Sequence, residues 1–159
     1  MANVIPYDFN VINDNIRQGN FNYINSGSGR RVFDLGNGYV VKVAKNQKGI
    51  AQNEVEYRIK ADIDSYIFAT ILDTSKDYKY LIMEKADKIY SFSYILRYYH
   101  VNHMRELLKR DDIQYAIHTH HLMPVDLYKL TNWGIVNEVP VIIDYGFTWN
   151  VKRKYYLPF

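Results

Sequence analysis

The stretch "YVVKVAK", Tyr39–Lys45, places a lysine among apolar residues in a segment with the alternation of a β-strand. If Val41 and Val43 face one side of a sheet, Lys42 faces the other. An ammonium group that is buried without a partner costs free energy, so Lys42 must be solvated, paired or in contact with an anion. For this residue taken alone, we favour an exposed position on the wet face of a sheet.

The segments around this strand predict a small unit rich in β-structure. "FNYIN" and "RRVFDL" are predicted strands, and Asn37-Gly38 predicts a hairpin turn because both residues tolerate positive φ. A helix is expected from about Ile50 to Ala61, followed by the strands "YIFATILD" and "YKYLIMEK". The predicted order is therefore β-β-β-α-β-β. Upstream of it, Asn13 or Asp14 is a candidate cap of a short helix.

The second half of the chain is predicted to be mostly helical. In "YSFSYILRYYHVNHMRELLKR" the apolar residues are spaced as on one helix face or on two short helices. A further helix is expected from Asp112 to His121. "NWGIVNEVPVIIDYG" then predicts a β-hairpin that turns at Asn137-Glu138.

Composition excludes several classes of protein. The 159 residues include no cysteine, which excludes disulfides and thiolate metal sites. The net charge of +3 is small and unclustered, so we expect neither a nucleic-acid nor a membrane partner. No apolar run approaches the ~20 residues of a membrane span, and the N-terminus lacks the pattern of a secretory signal. These features predict a cytoplasmic protein.

Two further features near the lysine strand suggest an anion site. Gly27 and Gly29 lie between strands in "SGSG", where glycines let backbone N–H groups approach an anion, although such glycines usually form only a turn. Glu54 and Glu56 lie on the following helix, and either could pair with Lys42. Glu56 is preferred because it lies nearer the apolar stripe; the alternative is a solvated glutamate.

A second set of polar residues lies near the end of the sequence. Asp126, Asn132 and, twelve residues later, Asp144 carry the hard oxygen atoms that bind a divalent cation beside phosphates. As alternatives, Asp126 is a helix cap or turn residue, and Asn132 belongs to a turn before Gly134.

The order of these segments resembles the protein-kinase fold. "GSGRRVF" is similar to the Gly-rich loop, "VVKVA" to the lysine strand, and "NEVE" to the helix whose glutamate holds that lysine. "LIMEKAD" is similar to the hinge, "DLYKLTN" to the catalytic loop, and "IIDYG" to the Asp-Phe-Gly motif. "KGIAQNEVE" and "NWGI…PVIIDYG" are more similar to small kinase-like proteins of phages and bacteria. The resemblance covers about residues 21 to 148.

The resemblance implies an α+β, protein kinase-like fold. Residues 1–86 would form an N-lobe with an antiparallel five-stranded sheet and one helix. Residues 87–159 would form a reduced, mostly helical C-lobe that carries a β-hairpin. Because thirteen residues follow Gly146, we expect the C-lobe to be truncated, without an activation segment.

The resemblance also implies the cofactors ATP and Mg²⁺ and a role for each motif. Gly27 and Gly29 would cover the phosphates, and Lys42 would pair with Glu56 and with the α- and β-phosphates. The backbone of the hinge would bind adenine, through the segment that includes Met83, Glu84 and Ala86.

In the second half, Asp126 would be the catalytic base, and Asn132 and Asp144 would hold Mg²⁺. The sequence departs from the family pattern at three points. Val32 replaces the third loop glycine, "PVD" stands in place of His-Arg-Asp, and the spacing from Asp126 to Asn132 is one residue longer.

Two function hypotheses follow. The leading one is a kinase-like protein that binds ATP and Mg²⁺, with or without phosphoryl transfer to an unknown acceptor. The alternative is an inactive pseudokinase that binds a protein, such as a phage inhibitor of a host protein or a component of a phage assembly.

Two groups of histidines could in principle hold a metal ion, but packed or solvated side chains are the favoured interpretation. The groups are His100 with His103, and His118 with His120 and His121.

Overall fold

The structure, a computed structural model, describes residues 7–62 and 67–155. Residues 1–6, 63–66 and 156–159 lie outside the described residues. The chain divides into two compact units, one made of Met1–Tyr57 and Thr70–Lys85, the other of Arg58–Ala69 and Ala86–Phe159. The second unit therefore includes residues 58–69 in addition to the second half of the chain.

The first unit is built on an antiparallel five-stranded sheet with strand order β1-β2-β3-β5-β4. The order follows from hairpins between sequential strands and from one helix that connects β3 to β4. Its elements are α1 (Phe9–Arg17), β1 (Asn22–Ser26), β2 (Arg30–Asp34), β3 (Tyr39–Ala44), α2 (Gln47–Asp62), β4 (Ile71–Thr74) and β5 (Tyr80–Glu84). The predicted β-β-β-α-β-β order is confirmed, with one helix before it.

Helix α1 covers the apolar face of this sheet. Ile12 is buried in one cluster with Val41, Val43 and Ile82 from the two central strands. The helix begins after Asp8, whose carboxylate accepts hydrogen bonds from the N–H groups of the second and third helical residues. The prediction of a cap at Asn13 or Asp14 was therefore wrong, because both positions lie inside the helix.

Strand β3 is buried on both faces, which corrects the interpretation of Lys42 as an exposed residue. Val41 and Val43 pack in the cluster under α1. Lys42 points to the opposite face, which α2 covers, and only 6% of it is exposed. In the turn before β3, positive φ angles fall on Gly36 and Gly38, not on Asn37 as predicted.

The second unit is mostly helical and carries a small antiparallel sheet of order β6-β7-β8. The predicted alternative of two short helices is correct, and the hairpin turns at Asn137 and Glu138, both with positive φ. Its elements are β6 (Asp87–Lys88), α3 (Phe92–Tyr99), α4 (Met104–Leu108), α5 (Asp111–His120), two 3₁₀ helices (Pro124–Tyr128 and Leu130–Asn132), β7 (Trp133–Val136), β8 (Val139–Ile142) and α6 (Trp149–Tyr155).

The predicted α+β fold class is confirmed by this architecture. The five-stranded sheet, the helix between its third and fourth strands, the helical part and the late hairpin occur in the predicted order. Among the helices in the described part of the chain, none has the length and apolar character to cross a bilayer.

Candidate functional site

In the first unit, the structure brings Lys42 and Glu56 together. Lys42 Nζ lies 2.9 Å from Glu56 Oε1 and 3.1 Å from Oε2. Lys42 comes from the middle of β3, and Glu56 comes from the face of α2 that packs on the sheet, where its side chain is fully buried. Glu54 is two residues away and only half-buried, so Glu56 is the inward-facing glutamate of this helix.

A second cation on the same carboxylate was missed at the sequence level. Arg30 Nη1 and Nη2 donate to the two oxygens of Glu56 at 2.6 and 3.0 Å, and only 6% of Arg30 is exposed. The strand register explains its position. Val32 is opposite Lys42, so Arg30, two residues earlier, faces the same side of the sheet. The hairpin turn at Gly36–Gly38 was the signal from which this register could have been deduced.

Asn53 completes the buried cluster. Its Oδ1 accepts from Arg30 Nη1 at 3.0 Å, and its Nδ2 donates to the backbone carbonyl of Tyr78 at 2.8 Å. Asn53 and Glu56 are three residues apart, so they lie on one face of α2. Through these bonds the helix is fastened both to β2 and to the turn before β5.

The charges of this cluster keep Glu56 ionised. Burial by itself raises the pKa of Glu56, but the charges of Arg30 and Lys42 and their hydrogen bonds outweigh burial and lower the pKa to about 2. The carboxylate is therefore the negative charge that a buried ammonium or guanidinium group requires.

The Gly-rich loop is a tight turn that is fixed to the start of α2. Gly27 N–H donates to the carbonyl of Arg30 at 2.9 Å, and the carbonyl of Gly29 accepts from Lys45 N–H at 2.8 Å. A Cβ atom built on Gly49 would lie 2.0 Å from the carbonyl oxygen of Gly29, whereas one built on Gly27 would meet nothing within 4 Å. Gly49 is thus needed for close packing of α2 against the loop. A Cβ atom on Gly29 would also lie only 3.0 Å from the nitrogen of Gly49, whereas Gly27 faces open space.

The predicted hinge is partly occupied by bonds within the protein. Met83 is buried in β5, and the N–H of Glu84 donates to the carbonyl of Thr70 at 2.9 Å. The N–H of Lys85 donates to a carbonyl in the β2–β3 turn at 2.9 Å. Ala86 lies between β5 and β6.

In the second unit, Asp126 lies inside the first 3₁₀ helix rather than at a helix cap. Its Oδ1 accepts from Lys129 Nζ at 2.8 Å. The side-chain amide of Asn132 donates to the carbonyl of Asp126 at 3.0 Å, so the two ends of the loop are tied together. Lys129 was not predicted as a site residue, although it lies in the quoted "DLYKLTN".

Asp144 follows β8 and lines the same small depression as Asp126. Both carboxylates act on Lys129: its pKa is raised by the hydrogen bond to Asp126, by the charge of Asp126 and by that of Asp144. Tyr145 is buried and donates its hydroxyl to the carbonyl of Ala69 at 3.0 Å, which anchors the segment after β8. The second unit thus places two of its predicted site carboxylates around one cavity.

Asp126, Asn132 and Asp144 suit a hard cation only if a phosphate supplies further oxygen ligands. Across residues 7–62 and 67–155, no group of three His, Cys, Asp or Glu side chains forms a metal site. Asp126 and Asp144 offer carboxylate oxygens, and Asn132 offers an amide oxygen while its nitrogen is bound to backbone. Mg²⁺ keeps few protein ligands and binds phosphate oxygens, so this donor set fits a magnesium–phosphate complex.

The histidines make packing and capping contacts. His100 and His121 adopt left-handed conformations at the ends of α3 and α5. The other three contact Gln114 (His118, 3.1 Å), Glu106 (His103, 3.3 Å) and the ring of Phe68 (His120, 6.3 Å between centroids).

The chain has a protein kinase-like fold. The antiparallel five-stranded sheet, the single helix between β3 and β4 and the pairing of Lys42 with Glu56 are features that the resemblance implied. No protein-family model matches the chain, and no curated protein matches it in sequence.

The solved structures that are similar to the chain include three complexes of APH(2'') proteins. APH(2'')-IIa in complex with gentamicin has 17% identity and a TM-score of 0.49, over 90% of this chain and 71% of that one. Its ternary complex with streptomycin and ATP has 15% identity and a TM-score of 0.49, over 90% and 73%. The aminoglycoside phosphotransferase APH(2'')-Ib with bound ADP has 16% identity and a TM-score of 0.43, over 88% and 71%. Gentamicin, streptomycin, ATP and ADP are ligands of those similar proteins.

Proposed function

We propose that the chain binds ATP together with Mg²⁺ and transfers the γ-phosphoryl group to an acceptor hydroxyl. The observation that carries this proposal is the buried pair of Lys42 and Glu56. A lysine at the centre of a sheet is costly to bury, and an ion pair of this kind seldom adds stability over apolar packing. Its presence on β3, next to a glycine loop, supports a role in binding an anionic ligand.

The first unit would hold the phosphates of the nucleotide. Lys42, oriented by the ionised Glu56, would bind the α- and β-phosphates. Gly27, which faces open space, would let the loop backbone approach a phosphate, while Gly29 keeps the loop seated on α2. Adenine would bind backbone groups at Ala86.

The second unit would hold the cation and carry out the proton transfer. Asn132 and Asp144 would hold Mg²⁺, which when bound would neutralise phosphate charge. Asp126 would accept the acceptor's hydroxyl proton as the new phosphorus–oxygen bond forms and the bond to ADP breaks. Lys129, bonded to Asp126, would orient that carboxylate.

Thermal unfolding with and without Mg-ATP tests the binding step. A ligand that binds only the native state, at 10 to 100 times its dissociation constant, stabilises it by about 1.4 to 2.7 kcal/mol. We expect a rise in Tm of several degrees for the wild type, which Lys42→Met removes. Lys76→Met, an exposed lysine of the same unit, is the control and should keep the rise. Absence of any rise at millimolar Mg-ATP would contradict the proposal.

Transfer is tested with γ-labelled ATP and a panel of hydroxylated acceptors. Asp126→Asn should keep the rise in Tm with Mg-ATP but should no longer transfer labelled phosphate. Asp144→Asn should lose the part of the rise in Tm that depends on Mg²⁺. Asp111→Asn, an exposed aspartate on α5, is the matched control for both. Transfer retained in Asp126→Asn would remove this residue as the base.

A protein-binding role without catalysis is the second candidate, favoured by the exposed aromatic side chains of the second unit. Tyr90 is 85% exposed and Tyr115 65%, and aromatic residues are enriched in protein interfaces. A nucleotide-induced shift without transfer to any acceptor would favour this role, with a host or phage protein as the partner.

A further inference from the structure

Glu56 is shared by two cations that use the same two oxygens. Arg30 binds the carboxylate with both terminal nitrogens, at 2.6 and 3.0 Å, and Lys42 contacts both oxygens at 2.9 and 3.1 Å. All three side chains are buried. A phosphate that recruits Lys42 would compete with Glu56 for the same ammonium group, and a carboxylate that loses its only cation inside a protein is strongly destabilised.

We propose that Arg30 is a positioning residue that keeps Glu56 paired while Lys42 turns its ammonium group toward a phosphate of the nucleotide. The inference rests on the proposed function. Arg30 suits this task because its planar fork matches both oxygens of a carboxylate, whereas a lysine is a single point of contact. With Arg30 in place, the Lys42–Glu56 contact can loosen without leaving a buried charge unpaired.

Neighbouring groups fix the position of the Arg30 side chain and backbone. Asn53 binds one of its nitrogens at 3.0 Å and is itself bonded to the carbonyl of Tyr78. Arg30 is also the first residue of β2, so its backbone pairs with Ala44 in the sheet. Arg31, the next residue, is exposed and lies 5.5 Å from the ring of Phe33, so it provides a matched arginine outside the cluster.

The test measures the dissociation constant of Mg-ATP by titration calorimetry. Arg30→Met leaves Lys42 as the only cation for Glu56, so we expect about tenfold weaker binding, in line with loss of one charge-assisted bond. The second substitution Glu56→Gln, added to Arg30→Met, removes the competing carboxylate and should recover part of the loss, to about threefold weaker than the wild type, because the ionised Glu56 that orients Lys42 is also removed. Arg31→Met should bind like the wild type.

Adenosine provides a second readout because it has no phosphate. Its affinity should be the same in the wild type and in Arg30→Met. A purely structural role for Arg30 predicts the opposite pattern: ATP and adenosine weaken together, and adding Glu56→Gln gives no recovery. Either result would overturn the proposal, as would Mg-ATP binding in Arg30→Met within twofold of the wild type.

Failure of the proposed function is separable from failure of this inference. If the wild type binds no Mg-ATP, the nucleotide role itself is wrong, and the role of Arg30 falls with it. If the wild type binds and Arg30→Met is unaffected, only the role of Arg30 is wrong. Should Arg30→Met not fold, Arg30→Lys keeps the charge without the fork and is expected to bind at least threefold more weakly, with recovery on adding Glu56→Gln.

Discussion

The two units each contain a lysine–carboxylate pair, and the pairs have nearly the same length but very different surroundings. Lys42 and Glu56 are 2.9 Å apart with side-chain exposures of 7% and 0%. Lys129 and Asp126 are 2.8 Å apart with exposures of 58% and 12%. The distance between charges therefore says little about what each pair does.

Access to water separates the two pairs. Breaking a buried pair leaves a charge without solvent or partner, whereas an exposed lysine that loses its carboxylate is simply hydrated. The Lys42–Glu56 contact can therefore loosen only because Arg30 remains bonded to Glu56. In the second unit Asp126 is buried but Lys129 is solvated, so the lysine can leave the carboxylate at less cost than Lys42 can leave Glu56.

The largest loss of stability is expected for Glu56→Ala. Removal of this carboxylate leaves Arg30 and Lys42 buried together, and such losses cost about 3–5 kcal/mol. The free energy of unfolding, measured with urea, should fall by that amount. Glu54→Ala, on the same helix but half-buried, should cost less than about 1 kcal/mol. Equal losses of unfolding free energy in Glu56→Ala and Glu54→Ala would mean that burial of the carboxylate does not determine its contribution to stability.

The pH dependence of stability tests the same carboxylate. The pKa of Glu56 is lowered to about 2, below its unfolded value, so its contribution is present at pH above about 4.5 and is lost as the pH falls toward 2. A shift of this size corresponds to about 3 kcal/mol. We expect the free energy of unfolding to fall over this range, and Glu56→Gln to flatten the slope. An unchanged slope in that variant would show that Glu56 is not the group responsible.

Much of the first unit could be predicted from the sequence because its signals are local. Alternation around Lys42 gave the strand, turn glycines gave the hairpin, and the apolar stripe of the following helix selected Glu56 over Glu54. Lys42 taken alone was misassigned to a wet face, since alternation does not show that a helix covers that side of the sheet.

Arg30 and Lys129 were missed because neither position follows from residue type alone; that of Arg30 required the strand register set by the hairpin turn. "RR" at the start of β2 looks like two solvated charges, and only the pairing of β2 with β3 shows that Arg30 shares the face of Lys42. The contact of Lys129 with Asp126 depends on a 3₁₀ helix, which a spacing compared with the kinase pattern does not reveal. Both depend on backbone geometry rather than on residue type.

Gly49→Ala should have a smaller effect on the first unit. Its new Cβ would lie 2.0 Å from the carbonyl oxygen of Gly29, so α2 must shift from the sheet, at a cost of about 1–3 kcal/mol. Alanine's better helix propensity offsets part of this cost. Gly27→Ala, with open space around it, should change stability by less than about 0.5 kcal/mol. Urea unfolding of both variants measures the difference, and a neutral Gly49→Ala would show that α2 can move freely over the sheet.

The smallest effect is expected for the pair of the second unit, in which Asp126 is buried but Lys129 is solvated. Lys129→Met removes an ammonium group that is more than half solvated, and exposed ion pairs contribute about 0–1 kcal/mol. We expect the free energy of unfolding to change by less than about 1 kcal/mol, and less still in 1 M salt, where the Debye length is about 3 Å. Thermal and urea unfolding at both salt concentrations measure this change. A loss as large as that of Glu56→Ala would mean that the Asp126–Lys129 pair contributes as much to the fold as the Lys42–Glu56 pair.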